Sequence, residues 1–153
     1  MQNKKSKYFN TLFRKAHSKK GIMGKFWKVL YVLYSEYVLG CEIKWYTEIG
    51  TGFEIFHGAR GSVISPTAII GKNVSLRQNT TIGSKGFDGA DNSPIIEDNV
   101  TIGPHVSLLC STHPIVDIKL RNSEFEYVKK ISIGNNVWIK GNVVILPWNK
   151  NWE

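Results

Sequence analysis

The chain has 153 residues, of which 42% are hydrophobic, and carries a formal net charge of +8 at neutral pH. This length is sufficient for one domain with a substantial buried core. Its two cysteines, Cys41 and Cys110, lack both the spacing of a metal site and the neighbours of a disulfide framework. These features exclude a disulfide-stapled secreted domain, and we expect two buried thiols in a reducing compartment.

The positive charge is concentrated at the N-terminus. Residues 1–35 contain nine Lys or Arg and no acidic residue, whereas the rest of the chain has eleven basic and twelve acidic residues. The aromatic and aliphatic stretch FWKVLYVLYSEYVLG (26–40) interrupts its apolar run with Lys28 and Glu36. It falls short of the about 20 apolar residues that span a bilayer. No small-residue cleavage site follows it, so it predicts neither a transmembrane helix nor a cleaved signal peptide.

We therefore expect residues 1–40 to form a helical region, and two interpretations of it stay open. In the first, a solvated helix is followed by a helix whose apolar face caps the next domain. In the second, an interfacial helix holds the protein against anionic lipid, each basic residue near the surface adding about 1 kcal/mol. The basic run has no nucleic-acid-binding motif, so nucleic acid is not an expected partner.

From residue 41 onward an aliphatic residue returns every sixth position. Helix faces repeat near 3.6 residues and half-buried strands repeat at two, so neither explains this period. A period of six fits short strands separated by corners, which predicts a parallel β-helix of hexapeptide repeats over residues 41–153. The repeated positions are Ile43, Ile49, Ile55, Ile64, Ile70, Leu76, Ile82, Ile96, Ile102, Leu108, Ile133, Ile139 and Ile145.

A second regularity accompanies the first. A glycine often follows the repeated aliphatic residue, and a valine often lies four positions after it. We expect the glycines to form tight corners whose backbone torsions resist a Cβ, and the valines to fill a narrow interior beside the large aliphatic residues. The glycines are Gly50, Gly71, Gly83, Gly103 and Gly134, and the valines are Val74, Val100, Val106, Val137 and Val143.

The six-residue phase breaks in three places. Nine residues separate Ile55 from Ile64, fourteen separate Ile82 from Ile96, and twenty-five separate Leu108 from Ile133. The breaks therefore contain three, eight and nineteen extra residues. In a solenoid, extra residues leave as loops at the corners, so we predict loops at 84–94 and 111–130, where functional groups often gather.

Two segments carry a resemblance to known families. Residues 29–109, including SEYVLGCEI, IFHG and IIEDNVTIGPHV, resemble the serine acetyltransferase-related O-acetyltransferases of capsular and colanic acid polysaccharide synthesis. The later segment STHPIVDIKLRNSEFEYVKKISIGNNVWIKGNVVILP resembles the maltose and galactoside acetyltransferases. The resemblance implies a trimer of left-handed β-helices in the cytoplasm. It also implies acetyl-CoA as co-substrate, no metal, and a sugar hydroxyl of a polysaccharide precursor as acceptor.

His57, in IFHG, matches the catalytic base of the serine acetyltransferase-like branch. An imidazole, with an ordinary pKa of about 6.5, suits removal of a hydroxyl proton at neutral pH. Because His57 lies two residues after Ile55, we expect it near a corner. Phe56 stands where serine acetyltransferases have an orienting aspartate. Glu48, Glu54 or a residue of another subunit is left to orient the ring, and the alternative is a corner histidine bonded to a carbonyl.

His113, in STHP, matches the base of the maltose and galactoside branch. The alternative is a loop histidine that packs on the next subunit. Counting coils places the two histidines two to three coils apart, roughly 10 to 15 Å at the usual strand separation. They are therefore not a hydrogen-bonded pair within one chain, but both can border a cleft between neighbouring subunits of a trimer.

Other candidates follow from the resemblance alone. It implies cofactor-binding roles for Trp138, Lys140 and Gly141, and substrate-binding roles for Lys85, Asn122 and Tyr127. Trp138 can equally be an outward packing residue, and Lys85 can simply belong to a turn. We expect His105 to be a surface corner residue and His17 to be solvated, and neither is assigned a role.

Two departures from the family keep alternatives open. Ser93, before Pro94, stands where serine acetyltransferases have a histidine that helps to seat serine, which favours a saccharide acceptor. The chain ends PWNKNWE, where the family continues with coils that wall the coenzyme A tunnel. Serine O-acetyltransferase and a non-catalytic β-helix scaffold therefore remain alternatives to the polysaccharide enzyme. Surface recruitment by the basic N-terminus would suit a lipid-linked acceptor.

Overall fold

A computed structural model describes residues 3–83, 93–112, 117–123 and 127–146. Helix α1 (Lys4–Ser18) begins at the N-cap Asn3, whose side chain accepts a hydrogen bond from the Ser6 amide at 3.0 Å. Helix α2 (Gly21–Val32) runs into a wider π-helical segment, Leu33–Leu39, which ends at Gly40 in the left-handed conformation. Among the described residues, no helix is long and apolar enough to cross a membrane.

Very short strands follow the helices and form three parallel sheets. The first sheet contains β1 (Glu42–Ile43), β4 (Val63–Ile64), β7 (Thr81–Gly83), β10 (Ser107–Leu109) and β15 (Val144–Ile145). The second contains β2 (Glu48–Ile49), β5 (Ile69–Ile70), β8 (Ile95–Ile96) and β13 (Ser132–Ile133). The third contains β3 (Glu54–Ile55), β6 (Ser75–Leu76), β9 (Thr101–Ile102) and β14 (Trp138–Ile139). The chain visits the three sheets in turn, so each circuit is one coil of a three-sided prism.

The repeated aliphatic residues occupy the second position of these strands and pair in register. In the first sheet Ile64 pairs with Ile82, and in the third Leu76 pairs with Ile102. In the central coils these side chains are at most 2% exposed, and Ile133 and Ile145 of the last coil are partly buried. Val74, Val100 and Val106 fill the interior beside them. The predicted solenoid of hexapeptide repeats is confirmed.

The expected role of the glycines is wrong, because none of the five has a positive φ angle, and Gly50, Gly71 and Gly103 have another role. Positive φ angles at the corners belong largely to asparagines instead, for which the left-handed region is accessible. These asparagines are Asn73, Asn79, Asn99, Asn136 and Asn142. The glycines are required by a different constraint, since their Cα atoms lie directly against the backbone of the next coil. A Cβ on Gly71, for example, would lie 2.6 Å from the carbonyl carbon of Glu97.

This contact predicts different costs for the same substitution at two equivalent corners. Gly71→Ala forces a methyl group into the backbone of residues 97–98, and we expect it to lower the free energy of unfolding by about 1–3 kcal/mol. Gly134→Ala is the matched control, because the nearest described atom to a Cβ there is Glu97 Oε2, at 4.0 Å. We expect it to change stability by less than about 0.5 kcal/mol. Urea denaturation of both variants tests this, and equal losses would contradict it.

The described residues of the nineteen-residue insertion include a small unit of regular structure. Strands β11 (Ser111–Thr112) and β12 (Tyr127–Val128) pair antiparallel, and the short helix α3 (Ile118–Arg121) lies between them in sequence. Asp117 caps α3 by accepting hydrogen bonds from the Lys119 and Leu120 amides at 2.9 and 3.0 Å. The predicted loop region 111–130 therefore contains regular structure.

In one interpretation of the sequence the first helix is solvated and the second caps the solenoid, but the structure shows the first helix as the cap. Helix α1, expected to be solvated, caps the first coil with the fully buried side chains of Phe9, Phe13 and Ala16. The ring of Phe9 packs against Phe13, Tyr31 and Phe53 at centroid distances of 5.6 to 5.9 Å. Helix α2 packs against α1 and leaves much of its apolar face exposed.

Polar side chains of α1 complete the cap. They lie on one face of the helix at three- and four-residue spacings, and they bond to the open backbone edge of the first coil. Ser6 accepts from the Ile55 amide at 2.8 Å and lies 3.1 Å from the Ile55 carbonyl, to which it donates. Asn10 donates to the Phe53 carbonyl at 2.6 Å. Arg14 donates to Ile49 and Gly50, so this edge is not left unpaired.

Candidate functional site

The three-residue insertion lies at the corner between β3 and β4. It forms a 3₁₀ turn, His57–Ala59, in which His57 has a φ of 57° and an exposed side chain. The position near a corner, expected from the six-residue phase, is confirmed. A base at such a corner would be accessible to a bulky acceptor.

The backbone of this turn is held from behind by the N-terminal helices. Gly58, with a φ of 77°, lies so close to Leu39 that a Cβ would be 3.3 Å from its Cδ2 atom. Ala59 is fully buried, and its amide donates to the Phe56 carbonyl at 3.1 Å. The insertion is therefore packed on its inner side, while the imidazole of His57 is presented on the outside.

Within the described residues, the corners of four successive coils stack on one another along this edge of the prism. Backbone hydrogen bonds connect them, from the Asn79 amide to Arg60 at 2.8 Å, from His105 to Gln78 at 3.1 Å, and from Asn142 to Pro104 at 2.9 Å. We call this column of corners, residues 56–62, 77–80, 103–106 and 140–143, the histidine edge. With a rise of about 4.8 Å per coil, His57 and Lys140 lie roughly 14 Å apart along it.

Positive charge accumulates along the histidine edge. Arg60 and Lys140 are exposed, and the half-buried Arg77 places its guanidinium 5.3 Å from the ring centroid of Phe56. Phe56, which replaces the orienting aspartate of the resembled family, thus contacts a cation. Among the described residues no hydrogen bond joins Glu48 or Glu54 to His57, and Glu48 belongs to the second sheet.

The predicted cofactor residues lie on or beside the same edge. Trp138 is 69% exposed on the outer face of β14, and the Lys140 ammonium lies 5.6 Å from its ring centroid. Gly141 contacts the neighbouring coil, since a Cβ there would lie 3.1 Å from the Pro104 carbonyl oxygen. The structure brings these three residues together with His57 on one side of the prism, and their ligand-binding roles stay a prediction.

The remaining predicted residues belong to the insertions at another corner. His113 and Lys85 lie outside the described residues. The exposed Asn122 is the C-cap of α3, and the backbone of Tyr127 pairs with Thr112 in the β11–β12 ribbon. This ribbon follows β10, where the chain leaves the first sheet for the second, whereas His57 lies where it leaves the third sheet for the first.

The known proteins to which the chain is similar are acetyltransferases. No protein-family model matches the chain. Over 78 residues, 51% of this chain and 35% of the relative, it is 41% identical to galactoside O-acetyltransferase from Escherichia coli. Over 62 residues, 40% of this chain and 16% of the relative, it is 42% identical to the mitochondrial serine acetyltransferase 3 of Arabidopsis thaliana.

A solved structure extends the match to almost the whole chain. Serine acetyltransferase from Neisseria gonorrhoeae, in complex with serine, has a TM-score of 0.62 and 25% identity. The alignment covers 94% of this chain and 52% of that one. The chain is therefore similar to serine and galactoside acetyltransferases, over part of its sequence and over most of its fold. Its fold is the left-handed parallel β-helix of the serine acetyltransferases with N-terminal helices, as predicted. The chain spans about half of that solved chain, and the two curated alignments cover 35% and 16% of the relatives' own length.

The two cysteine thiols are unsuited to act as nucleophiles. Cys41 and Cys110 are buried free thiols, as expected. Burial raises the pKa of Cys41 to about 12, and burial also raises the pKa of Cys110, so both stay protonated at neutral pH. In the described ranges, no group of three His, Cys, Asp or Glu side chains is arranged to hold a metal ion.

The two remaining described histidines, His105 and His17, each contact a neighbouring residue. His105 is an exposed corner residue, as expected, and its Nε2 atom lies 3.4 Å from Asn79 Nδ2. His17 is exposed but not merely solvated, because its Nδ1 atom lies 3.2 Å from the Trp45 carbonyl oxygen and its ring stacks on Phe13. This interaction continues the α1 cap toward the start of the first coil.

Sequence reasoning missed Arg77 and Arg60 as members of the histidine edge. The six-residue register contained the signal for Arg77, because Phe56, Arg77 and Lys140 each directly follow a repeated aliphatic residue of the third sheet. Arg60 had no such signal, since it lies within the three-residue insertion. The hydrogen bond from the Asn79 amide to the Arg60 carbonyl places Arg60 on this edge.

Proposed function

We propose that this chain is an acetyl-CoA-dependent O-acetyltransferase that acts on a sugar hydroxyl of a capsular or exopolysaccharide precursor. The observation that carries the proposal is the exposed His57 on an edge that also bears Trp138 and Lys140, in a fold homologous to acetyltransferases. A galactoside O-acetyltransferase among the relatives supports a saccharide acceptor.

In this proposal the imidazole of His57 accepts the proton of the acceptor hydroxyl while that oxygen attacks the thioester carbonyl carbon. The carbon–sulfur bond then breaks, and the imidazolium returns its proton to the departing sulfur. The products are an acetyl ester and free coenzyme A. Backbone amides at the corners are suited to stabilise the negative charge that develops on the carbonyl oxygen.

Donor binding is assigned to the later coils of the same edge. Trp138 offers an exposed aromatic surface, and Lys140 places a positive charge beside it. Together with Arg60 and Arg77 it makes the histidine edge cationic, which suits a donor that carries phosphates. Gly141 follows Lys140 at this corner, where it lies against Pro104 of the neighbouring coil, and its place in donor binding rests on the family resemblance.

We further propose that the chain acts as a homotrimer, with His113, Lys85, Asn122 and Tyr127 on the acceptor side. Thr112, immediately before His113, belongs to a different corner of the prism from His57. Two groups on different edges of one prism face a common cleft when neighbouring prisms stand side by side. In this arrangement one histidine is the base and the other binds substrate.

Serine O-acetyltransferase is the second candidate function, and the likeness to a serine acetyltransferase solved with serine favours it. Against it, Ser93 occupies the place where the family resemblance implies a serine-seating histidine, and this residue is only 3% exposed. A buried hydroxyl is poorly placed to contact an acceptor. The saccharide therefore remains the first choice, with the protein in the cytoplasm near a lipid-linked acceptor at the inner face of the membrane.

The first test of the proposal is calorimetric titration of the purified chain with coenzyme A. We expect micromolar affinity, and we expect Trp138→Ala to weaken it about tenfold, which corresponds to about 1.4 kcal/mol. Tyr46→Ala is the control, because Tyr46 is also exposed but precedes β2, far from this corner in the coil. No binding up to millimolar coenzyme A would reject the enzyme and favour the non-catalytic scaffold.

The acceptor is identified in a second assay that measures release of the coenzyme A thiol. Saccharides, including galactosides, and L-serine are compared as acceptors at equal concentration. Thiol release that depends on a saccharide supports the proposal. Release that depends on L-serine alone would favour the second candidate function.

A further inference from the structure

Helix α2 presents an apolar face that no described part of the chain covers. Ile22, Phe26 and Val29 of α2, with Leu33 at the start of the π-helical segment, define this α2 face, and they are 86%, 52%, 58% and 49% exposed. Their spacings of four, three and four residues place them on one side of the helix. The opposite side of α2 packs against the rest of the protein, since Gly24 and Tyr31 on that side are buried.

The α2 face is held rigidly at one end of the prism. The hydroxyl of Tyr31 donates to the Ile43 carbonyl at 2.6 Å, which fixes the end of α2 to the first strand. Trp27 packs beneath the Lys15 ammonium at 4.0 Å, which fixes α2 to α1. The exposed side chains of Met23 and Tyr37 enlarge the apolar surface beyond the four defining residues. Exposed apolar patches of this kind commonly mark sites that bind another surface.

The charge around the α2 face narrows the choice of partner. Lys19, Lys20 and Lys25 are exposed at the start of α2 and on its first turns. They belong to the N-terminal segment of nine basic residues and no acidic one. A second copy of the chain would bring the same positive charges together, which disfavours helix-to-helix pairing. A partner that is apolar inside and negatively charged at its surface satisfies both features.

We propose that the α2 face inserts into the interface of an anionic lipid membrane. The helix lies parallel to the surface, its apolar side chains enter the boundary between head groups and acyl chains, and the lysines contact the phosphates. The contact does not depend on the acetyl transfer proposed above, because none of these residues belongs to the histidine edge. If both hold, the prism is recruited to a surface that displays lipid-linked saccharides.

The test measures sedimentation of the full chain with two kinds of vesicle. One contains phosphatidylcholine alone, and the other contains 30% phosphatidylserine. We expect binding to the anionic vesicles that weakens as salt rises. Ile22→Glu should lower the partition coefficient at least tenfold. Ile118→Glu is the matched control, because it makes the same change in charge and hydropathy at an exposed isoleucine of α3 and should have no effect.

A second variant tests the electrostatic part. Replacing Lys19, Lys20 and Lys25 together by glutamine should weaken binding about fivefold for each lysine. Thermal melts confirm that every variant is folded before binding is compared. Equal binding of the wild type to both kinds of vesicle, or of Ile22→Glu and wild type to the anionic ones, would overturn the proposal. Light scattering that shows Ile22→Glu dissociating the protein, with vesicle binding unchanged, would instead assign the α2 face to a second copy.

Discussion

Replacing His57 with asparagine is expected to lower the rate of acetyl transfer about 10²- to 10⁴-fold while leaving the protein folded. The loss follows from removal of the group that accepts the hydroxyl proton, because an amide cannot act as a base at neutral pH. Asparagine is chosen because His57 has a φ of 57°, and asparagines such as Asn79 and Asn142 hold nearly the same angle at corners of the same edge. The backbone of the turn should therefore persist.

His105→Asn is the matched control for this experiment. His105 also has a φ of 57°, is exposed, and belongs to the same column of corners, but no role in catalysis is proposed for it. We expect its kcat/KM to stay within about twofold of the wild type, which is a change of less than about 0.5 kcal/mol. His113→Asn is measured beside them. A large loss with His113→Asn and none with His57→Asn would transfer the role of base to His113.

Replacing Phe9 with alanine is expected to lower the free energy of unfolding by about 3–5 kcal/mol. Phe9 is fully buried and is the ring at which α1, α2 and the first coil meet, since it contacts Phe13, Tyr31 and Phe53. Its removal leaves a cavity that the prism cannot close, because the backbone of the first coil is bonded to Ser6 and Asn10 on either side.

Tyr8→Ala is the control for Phe9→Ala. Tyr8 precedes Phe9 on the same helix but is 62% exposed, so its truncation should change stability by less than about 1 kcal/mol. Urea denaturation followed by circular dichroism measures both variants. A small loss for Phe9→Ala would mean that α1 does not cap the solenoid in solution, and the assignment of the cap would return to α2.

The solenoid could be predicted because its cause is local and periodic. Each hexad places its repeated aliphatic residue inward, so Ile64, Ile70 and Leu76 mark three successive sides of the prism in chain order. The insertions could be predicted by the same count, and the position of His57 at a corner followed from it. None of these inferences needed a contact between distant residues.

The reason for the corner glycines and the roles of the helices could not be predicted in this way. Gly71 is needed because residues 97–98 of the next coil lie against it, a contact that hexad spacing alone does not describe. Hydropathy favours α2 as the cap because it is the more apolar helix. The open edge of a β-helix also requires hydrogen-bonding partners, and α1 supplies them from Ser6, Asn10 and Arg14 at helical spacing.

The candidate site was predicted only in part for a related reason. The register placed Lys140 on the same side as Phe56, but the contact of Arg77 with Phe56 depends on how two side chains bend toward each other across coils. The sequence offers Glu48, Glu54 or a residue of another subunit to orient the imidazole of His57, but it cannot position any of them relative to the ring. Among the described residues neither glutamate is hydrogen-bonded to His57.

The hydrogen bonds between α1 and the first coil make the two ends of the solenoid unequal in how easily a coil can be added to them. A β-helix whose edges are free can gain or lose a coil at either end, since every coil offers the same backbone pattern to the next. Here the carbonyls of Ile49, Phe53 and Ile55 are matched to particular side chains of one helix. A coil inserted in space between helix α1 and the first coil would have to present its own carbonyl groups to the same side chains of α1. A coil added after β15 would not have to meet this requirement. Variation in length among proteins built on this plan is therefore expected on the side of the prism away from the helices.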